Sequence, residues 1–177
     1  NMSEQEKITV TTGFGKAEWF SLTKEDKFGN YTCSLILEDA PETHKLISQI
    51  DELGSGRMPY AKQSDGSYKL KLKVKSVGSK KDGTTYQINP PVLYNVSGKR
   101  IEGMDLVNLN VGNGSELRAK IELSAYEFMG QSGVSCKPKS VQISKIVEFG
   151  GSAEDLGFDA LELSDIEESS FRSEYDF

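Results

Sequence analysis

Apolar and polar residues alternate with period two along most of this chain, the signature of half-buried strands. Ile8, Val10, Thr12 and Phe14 share one parity, and Lys7, Thr9 and Thr11 the other. Residues 17–22 form a second extended stretch, where the adjacent Trp19 and Phe20 point to opposite faces, one of them outward. The polar segment 24–30, with Gly29-Asn30, reads as a hairpin loop. Tyr31, Cys33, Leu35 and Leu37 then alternate again. The sharpest strand is 68–75, with Tyr68, Leu70, Leu72 and Val74 on one face and Lys69, Lys71, Lys73 and Lys75 on the other. Short extended stretches follow at 84–88 and 92–96, divided by Asn89-Pro90-Pro91. Leu117, Ala119, Ile121, Leu123 and Ala125 share one face of a long strand, 117–128. Residues 129–133 turn the chain back into a last extended segment, 134–149, broken near Lys137-Pro138. Lys145 falls on the apolar parity of Val141, Ile143 and Val147, which predicts a bulge or an edge there.

One segment departs from this period. Leu46, Ile47, Ile50 and Leu53 have helical spacing, Pro41 suits the first turn with Glu42 beside it, and Gly54 is a natural stop. His44, near the start of this helix, reads as a solvated or capping histidine, since no second histidine or paired nucleophile accompanies it. Ser64-Asp65-Gly66-Ser67, Lys81-Asp82-Gly83 and Gly112-Asn113-Gly114-Ser115 are turn signals. Many short strands with one helix predict a small antiparallel barrel or sandwich. Strands and helices do not alternate as in a Rossmann or TIM-type scaffold, and no internal repeat is visible.

Charge divides the chain in two. The 177 residues sum to −6, which argues against a polyanionic partner. Residues 151–177, however, hold nine acids and one base, whereas residues 1–150 carry 20 bases and 18 acids. The expected organisation is therefore a β-rich domain over 1–150 and an acidic tail over 151–177. Within the domain, residues 57–100 hold ten bases against two acids, Asp65 and Asp82.

That basic block contains the candidate site. Alternate residues of a strand stand about 6.6–6.8 Å apart, close to the phosphate spacing of an extended single strand. Lys69, Lys71, Lys73 and Lys75 can thus track a nucleic-acid backbone, or they can simply be a solvated edge that resists aggregation. Arg57, Lys62, Lys80, Lys81, Lys99 and Arg100 extend the charge, and Tyr60, Tyr86 and Tyr94 lie among them. On the long strand Arg118, Lys120, Tyr126 and Phe128 occupy the parity opposite the apolar face. Cations with exposed rings are what single-strand binding requires, phosphate attraction plus stacking. Tyr68 lies on the Leu70 face and is expected in the core.

The tail mixes acids, serines and sparse apolar residues and closes on Glu174, Tyr175, Asp176 and Phe177. It is readable as a solubilising segment, as a recognition segment whose acids seek basic surfaces while an aromatic end enters an apolar pocket, or as a segment that folds back on the body's own basic groove and competes with nucleic acid.

A basic β body with such a tail resembles the single-stranded-DNA-binding replication proteins of short-tailed, T-odd-type bacteriophages. The matching pieces are the 68–75 strand, the Val111–Ser115 turn leading into 117–126, the closing strand 141–149, and the end Tyr175-Asp176-Phe177. The resemblance implies an oligonucleotide/oligosaccharide-binding (OB) barrel that binds single strands regardless of sequence during replication and recombination. It also implies a tail that contacts the phage polymerase and helicase-primase, dimers formed through that tail, and residence in the cytoplasm of the infected host.

Other classes fit less well. One histidine, no HExxH and no phosphate loop leave an enzyme without its parts. Cys33 and Cys136 make a poor ligand set, so neither metal nor other cofactor is expected. No apolar run approaches a membrane span, no signal-peptide pattern is present, and no membrane role is expected. A phage structural or carbohydrate-binding β-module is the alternative. It accounts for a barrel with aromatics but not for the lysine row together with the acidic tail.

Overall fold

The computed structural model describes residues 6–148. The predicted acidic tail, with Glu174, Tyr175, Asp176 and Phe177, lies outside the described residues. Ten strands and two helices follow in the order β1 (Lys7–Thr11), β2 (Gly15–Ser21), β3 (Asn30–Leu37), α1 (Pro41–Leu53), β4 (Tyr60–Lys62), β5 (Tyr68–Lys75), β6 (Val77–Ser79), β7 (Thr85–Gln87), β8 (Val92–Tyr94), α2 (Met104–Val107), β9 (Glu116–Phe128) and β10 (Gln131–Lys145).

The main sheet runs β4-β5-β3-β2-β9-β10-β8, with β1 also paired to β9. It curls until β10 meets the chain just before β4, where Arg57 and Gly133 form a parallel bridge. The circuit β2–β3–β5–β10–β9 is that of an OB barrel, as the resemblance implied. A Cβ on Gly133 would collide with the Tyr126 ring and the Arg57 backbone, so this closure requires a glycine. The β9–β10 turn is tight because Met129 and Gly130 both take positive φ, 53° and 81°.

The alternation places the core where it was expected. Cys33, Leu35, Leu37, Leu70, Leu72, Leu117, Ile121 and Leu123 fill the interior. The buried Leu46, Ile47 and Ile50 carry α1 onto it. Tyr68 is half-buried against this core. His44 is solvent-facing and lies 2.6 Å from Asp39. The anomaly at Lys145 is a register shift between Ile143 and Lys145, and a second shift lies between Pro138 and Ser140.

Three features differ from expectation. The barrel is not wholly antiparallel, because β8 pairs in parallel with β10. A second helix, the single turn α2, joins the expected one, too short to leave a periodic trace in the sequence. The strands β4 and β6 have three residues each, below the length at which alternation is detectable.

Candidate nucleic-acid interface

The outer face of β2–β3–β5 carries the lysine row. Pairing across β3 sets Lys69 beside Ile36, Lys71 beside Ser34, Lys73 beside Thr32 and Lys75 beside Asn30. On the other side of β3, Lys16 faces Ile36, Glu18 faces Ser34 and Ser21 faces Thr32. Lysines thus form one bank, and the short side chains of Thr32 and Ser34 form the floor. The opposite bank is β2, two strand spacings or about 9–10 Å away.

Trp19 stands on that opposite bank. The β2–β3 register shifts between Glu18 and Ser21, and Trp19 takes a φ of 53° at this bulge. A bulky side chain rarely adopts positive φ, which costs of order 1 kcal/mol. The bulge turns the indole outward to 67% exposure and leaves Phe20 packed against the core. The Trp19 backbone N–H donates to Asn113 Oδ1 at 2.8 Å, which anchors the strained residue. Trp19, Phe20 and Thr23 border a shallow cavity of about 270 Å³ with Leu109, Asn110, Val111 and Asn113.

The β2–β3 loop closes one end of this face. Asp26 accepts backbone N–H bonds from Phe28 (2.9 Å) and Asn30 (3.0 Å), which hold its carboxyl below the usual range. The loop so built presents Phe28, 74% exposed, with the Lys27 ammonium 5.2 Å from the ring centroid. Ser76 Oγ donates to Gly29 O at 2.8 Å, tying the loop to the Lys75 end of β5.

The four lysines are not equivalent. Lys69 Nζ lies 3.2 Å from Glu18 Oε1. Lys71 is within electrostatic reach of Asp26 and contributes to its low pKa. Among the described residues, no carboxylate lies within ion-pair distance of Lys71, Lys73 or Lys75. At least two of the row, Lys73 and Lys75, have no compensating carboxylate among the described residues.

The other candidate residues divide among separate places. Lys80 and Lys81 sit at the exposed turn of the β6–β7 hairpin, where Tyr86 packs over Gly78 and stays 48% exposed. Lys62 is 5.8 Å from the Tyr68 ring centroid. Tyr60 is half-buried, meets Tyr68 edge-on, and donates its hydroxyl to Asp51 Oδ1 at 2.7 Å. That bond pushes the Tyr60 pKa up to about 12. Arg57 and Tyr126 lie at the barrel closure, and Phe128 is exposed beside the β9–β10 turn.

Arg118 and Lys120 face outward from β9, on the β1–β9–β10 side rather than the lysine face. Arg118 donates to Gln142 Oε1 at 2.9 Å and covers the Phe14 ring at 4.8 Å. Gln142 reaches the Asn95 and Val96 carbonyls, which brings the loop carrying Lys99 and Arg100 to this second side, next to Tyr94.

Sequence reasoning therefore left out Phe28 and did not decide for Trp19. A phenylalanine inside an otherwise polar hairpin loop was a usable signal for the first. Nothing local announces a bulge at Trp19. No group of three or more His, Cys, Asp or Glu is placed to hold a metal among the described residues. No described helix is long and apolar enough to cross a membrane.

No protein-family model matches the chain, and none of the curated proteins does. Solved structures do match. The crystal structure of gp2.5, a single-stranded DNA binding protein encoded by bacteriophage T7, superposes with a TM-score of 0.72 at 23% identity, covering 89% of this chain and 97% of that one. The single-stranded DNA-binding protein from bacteriophage Enc34 gives a TM-score of 0.61 at 11% identity, covering 84% and 89%. The same Enc34 protein in complex with single-stranded DNA gives 0.60 at 13% identity, covering 81% and 89%. These likenesses establish the shared OB-type fold.

Proposed function

We propose that this chain binds single-stranded DNA without sequence preference. The carrying observation is the juxtaposition, across the Thr32–Ser34 floor, of Lys73 and Lys75, which pair with no carboxylate among the described residues, with the outward-turned Trp19. Phosphates lie along the β5 bank and are held by charge, and bases reach across the floor to stack on Trp19 and, at the loop end, on Phe28. Stacking tolerates any base because every base has a π face. The second and third strands of the barrel, here β3 and β5, are where OB proteins commonly receive oligonucleotides. The T7 and Enc34 proteins of like fold are both described as single-stranded DNA-binding proteins, which supports the reading.

On this reading binding involves no chemistry. The domain over 1–150 coats exposed strands during phage replication and recombination in the host cytoplasm. The acidic segment 151–177 recruits the replication enzymes, polymerase and helicase-primase, and allows homodimers. Glu174, Tyr175, Asp176 and Phe177 are its contact residues. Lys80, Lys81 and Tyr86 extend the contact beyond the Lys75 end. Titration of labelled oligo-dT and oligo-dA at several salt concentrations tests this. Comparable affinities that fall steeply with salt are expected, and no binding at low salt would overturn it.

A further inference from the structure

The two cationic sides of the barrel meet at one corner. The strand register sets Lys69, Ile36, Lys16, Glu116 and Lys145 in one row across β5, β3, β2, β9 and β10. Lys16 thus stands two strand spacings, about 9–10 Å, from Lys69 and beside the first residue of β9. From there Arg118 and Lys120 follow on the outer face of β9 at alternate positions, about 6.6–6.8 Å apart, the interval of the lysine row itself. Lys120 is flanked by Thr11 and Ser140, as Lys73 is flanked by Thr32, so short side chains again form a floor.

The corner is built as a platform. Phe14, between β1 and β2, is 41% exposed, and the Arg118 guanidinium lies 4.8 Å from its ring centroid. Arg118 Nε donates to Gln142 Oε1 at 2.9 Å, which fixes the planar fork over the ring and leaves its Nη donors to grip a phosphate. Two acids border the path: Glu116, whose Oε1 accepts the Ser144 hydroxyl at 2.6 Å, and Glu42, which comes up against Gly13 from α1. Among the described residues, no carboxylate lies within ion-pair distance of Lys16, Arg118 or Lys120. Glu122 ends the track, since Lys7 at 3.7 Å and Lys139 at 3.6 Å both turn to it.

We propose, on the basis of single-strand binding at the lysine face, that a strand longer than that face rounds the barrel at Lys16 and continues along β9. Its phosphates pass from the Lys69 end of the row to Lys16 and then to Arg118 and Lys120, and a base rests against the Phe14–Arg118 platform. The lysine row is about 20 Å long, so a pentanucleotide fills it and only longer strands turn the corner. A strand confined to the row keeps the salt dependence of its own uncompensated lysines, and each phosphate held beyond the corner steepens the log–log slope by about 0.7.

Backbone amide shifts of the full chain, followed with one equivalent of a dT pentamer and then of a dT dodecamer, test this. The pentamer should move Thr32 and Lys73 alone, and the dodecamer should move Phe14, Arg118 and Lys120 as well. Arg118→Glu should weaken the dodecamer several-fold and leave the pentamer unchanged, with Lys120→Glu as the second variant should the first misfold. A dodecamer that moves only the lysine face would overturn the proposal while leaving single-strand binding intact. So would a pentamer that already moves Arg118, which marks a separate site, or an equal loss for both lengths in a folded variant. No shift with either length would overturn both the proposal and single-strand binding at the lysine face.

Discussion

Glu18 Oε1 meets Lys69 Nζ at 3.2 Å, a diagonal contact from β2 to β5 across the floor of the lysine face. It joins the two banks and removes one cation from the row. Both side chains are more than a third exposed, so the pair contributes at most about 1 kcal/mol to stability. Glu18→Gln should leave thermal stability nearly unchanged and tighten oligo-dT binding roughly two- to five-fold, with a steeper salt dependence by about 0.7 in log–log slope. Fluorescence anisotropy at three salt concentrations measures both effects.

The same contact ranks the lysines. Lys73→Glu and Lys75→Glu should each weaken oligo-dT and oligo-dA alike and flatten the salt slope by about 0.7. Lys69→Glu should cost clearly less, because its charge is already compensated. Equal losses at all three positions would mean that the Glu18 pair opens freely when DNA binds.

Trp19 combines strain with exposure, and one substitution separates the two. Trp19→Gly relieves the steric cost of the positive φ, about 1 kcal/mol, against a backbone-entropy cost of similar size, so the melting temperature should stay nearly unchanged. Affinity for single strands should fall about tenfold or more, since one stacked base contributes about 1–3 kcal/mol. A variant that melts lower but binds normally would make Trp19 a packing residue.

Tyr60 should behave in the opposite way. Its hydroxyl holds β4 to α1 through Asp51, so Tyr60→Phe should lose about 1 kcal/mol of stability and leave DNA affinity unchanged. Paired denaturation and binding curves distinguish this from a stacking role.

Asp26 sets a limit at acid pH. Its folded-state pKa lies below the ordinary value of 3.8, so its contribution is full above that value and is lost as pH falls through the lowered one. The stability difference between the wild type and Asp26→Asn should be constant from pH 7 to about 5 and shrink below about 4. A difference that grows on acidification would contradict the cap assigned to this carboxylate.

The barrel was readable because its strands are long enough for parity to show, as in 68–75 and 117–128, and because α1 carries both its proline start and its glycine stop. The face of the lysines was equally readable. What parity cannot show is which faces meet. Arg118 and Lys120 have the outward parity expected of them, yet β9 turns that parity to the other side of the barrel from Lys73. The neutralisation of Lys69 comes from Glu18, some fifty positions away, and only the β2–β3–β5 pairing brings them together. The bulge at Trp19 is anchored by Asn113, distant in sequence, whose side-chain oxygen accepts the Trp19 backbone N–H.

The central claim is that single strands lie between the β5 lysines and Trp19, and the chain carries its own reporter because Trp19 is its only tryptophan. Intrinsic emission should be followed while unlabelled oligo-dT, oligo-dA and a duplex are added at several salt concentrations. Saturable quenching of similar affinity for both single strands is predicted, with little response to duplex. The log–log salt slope should be near −2, for about three phosphates on Lys71, Lys73 and Lys75. Binding detected by anisotropy with no change in Trp19 emission would contradict the account.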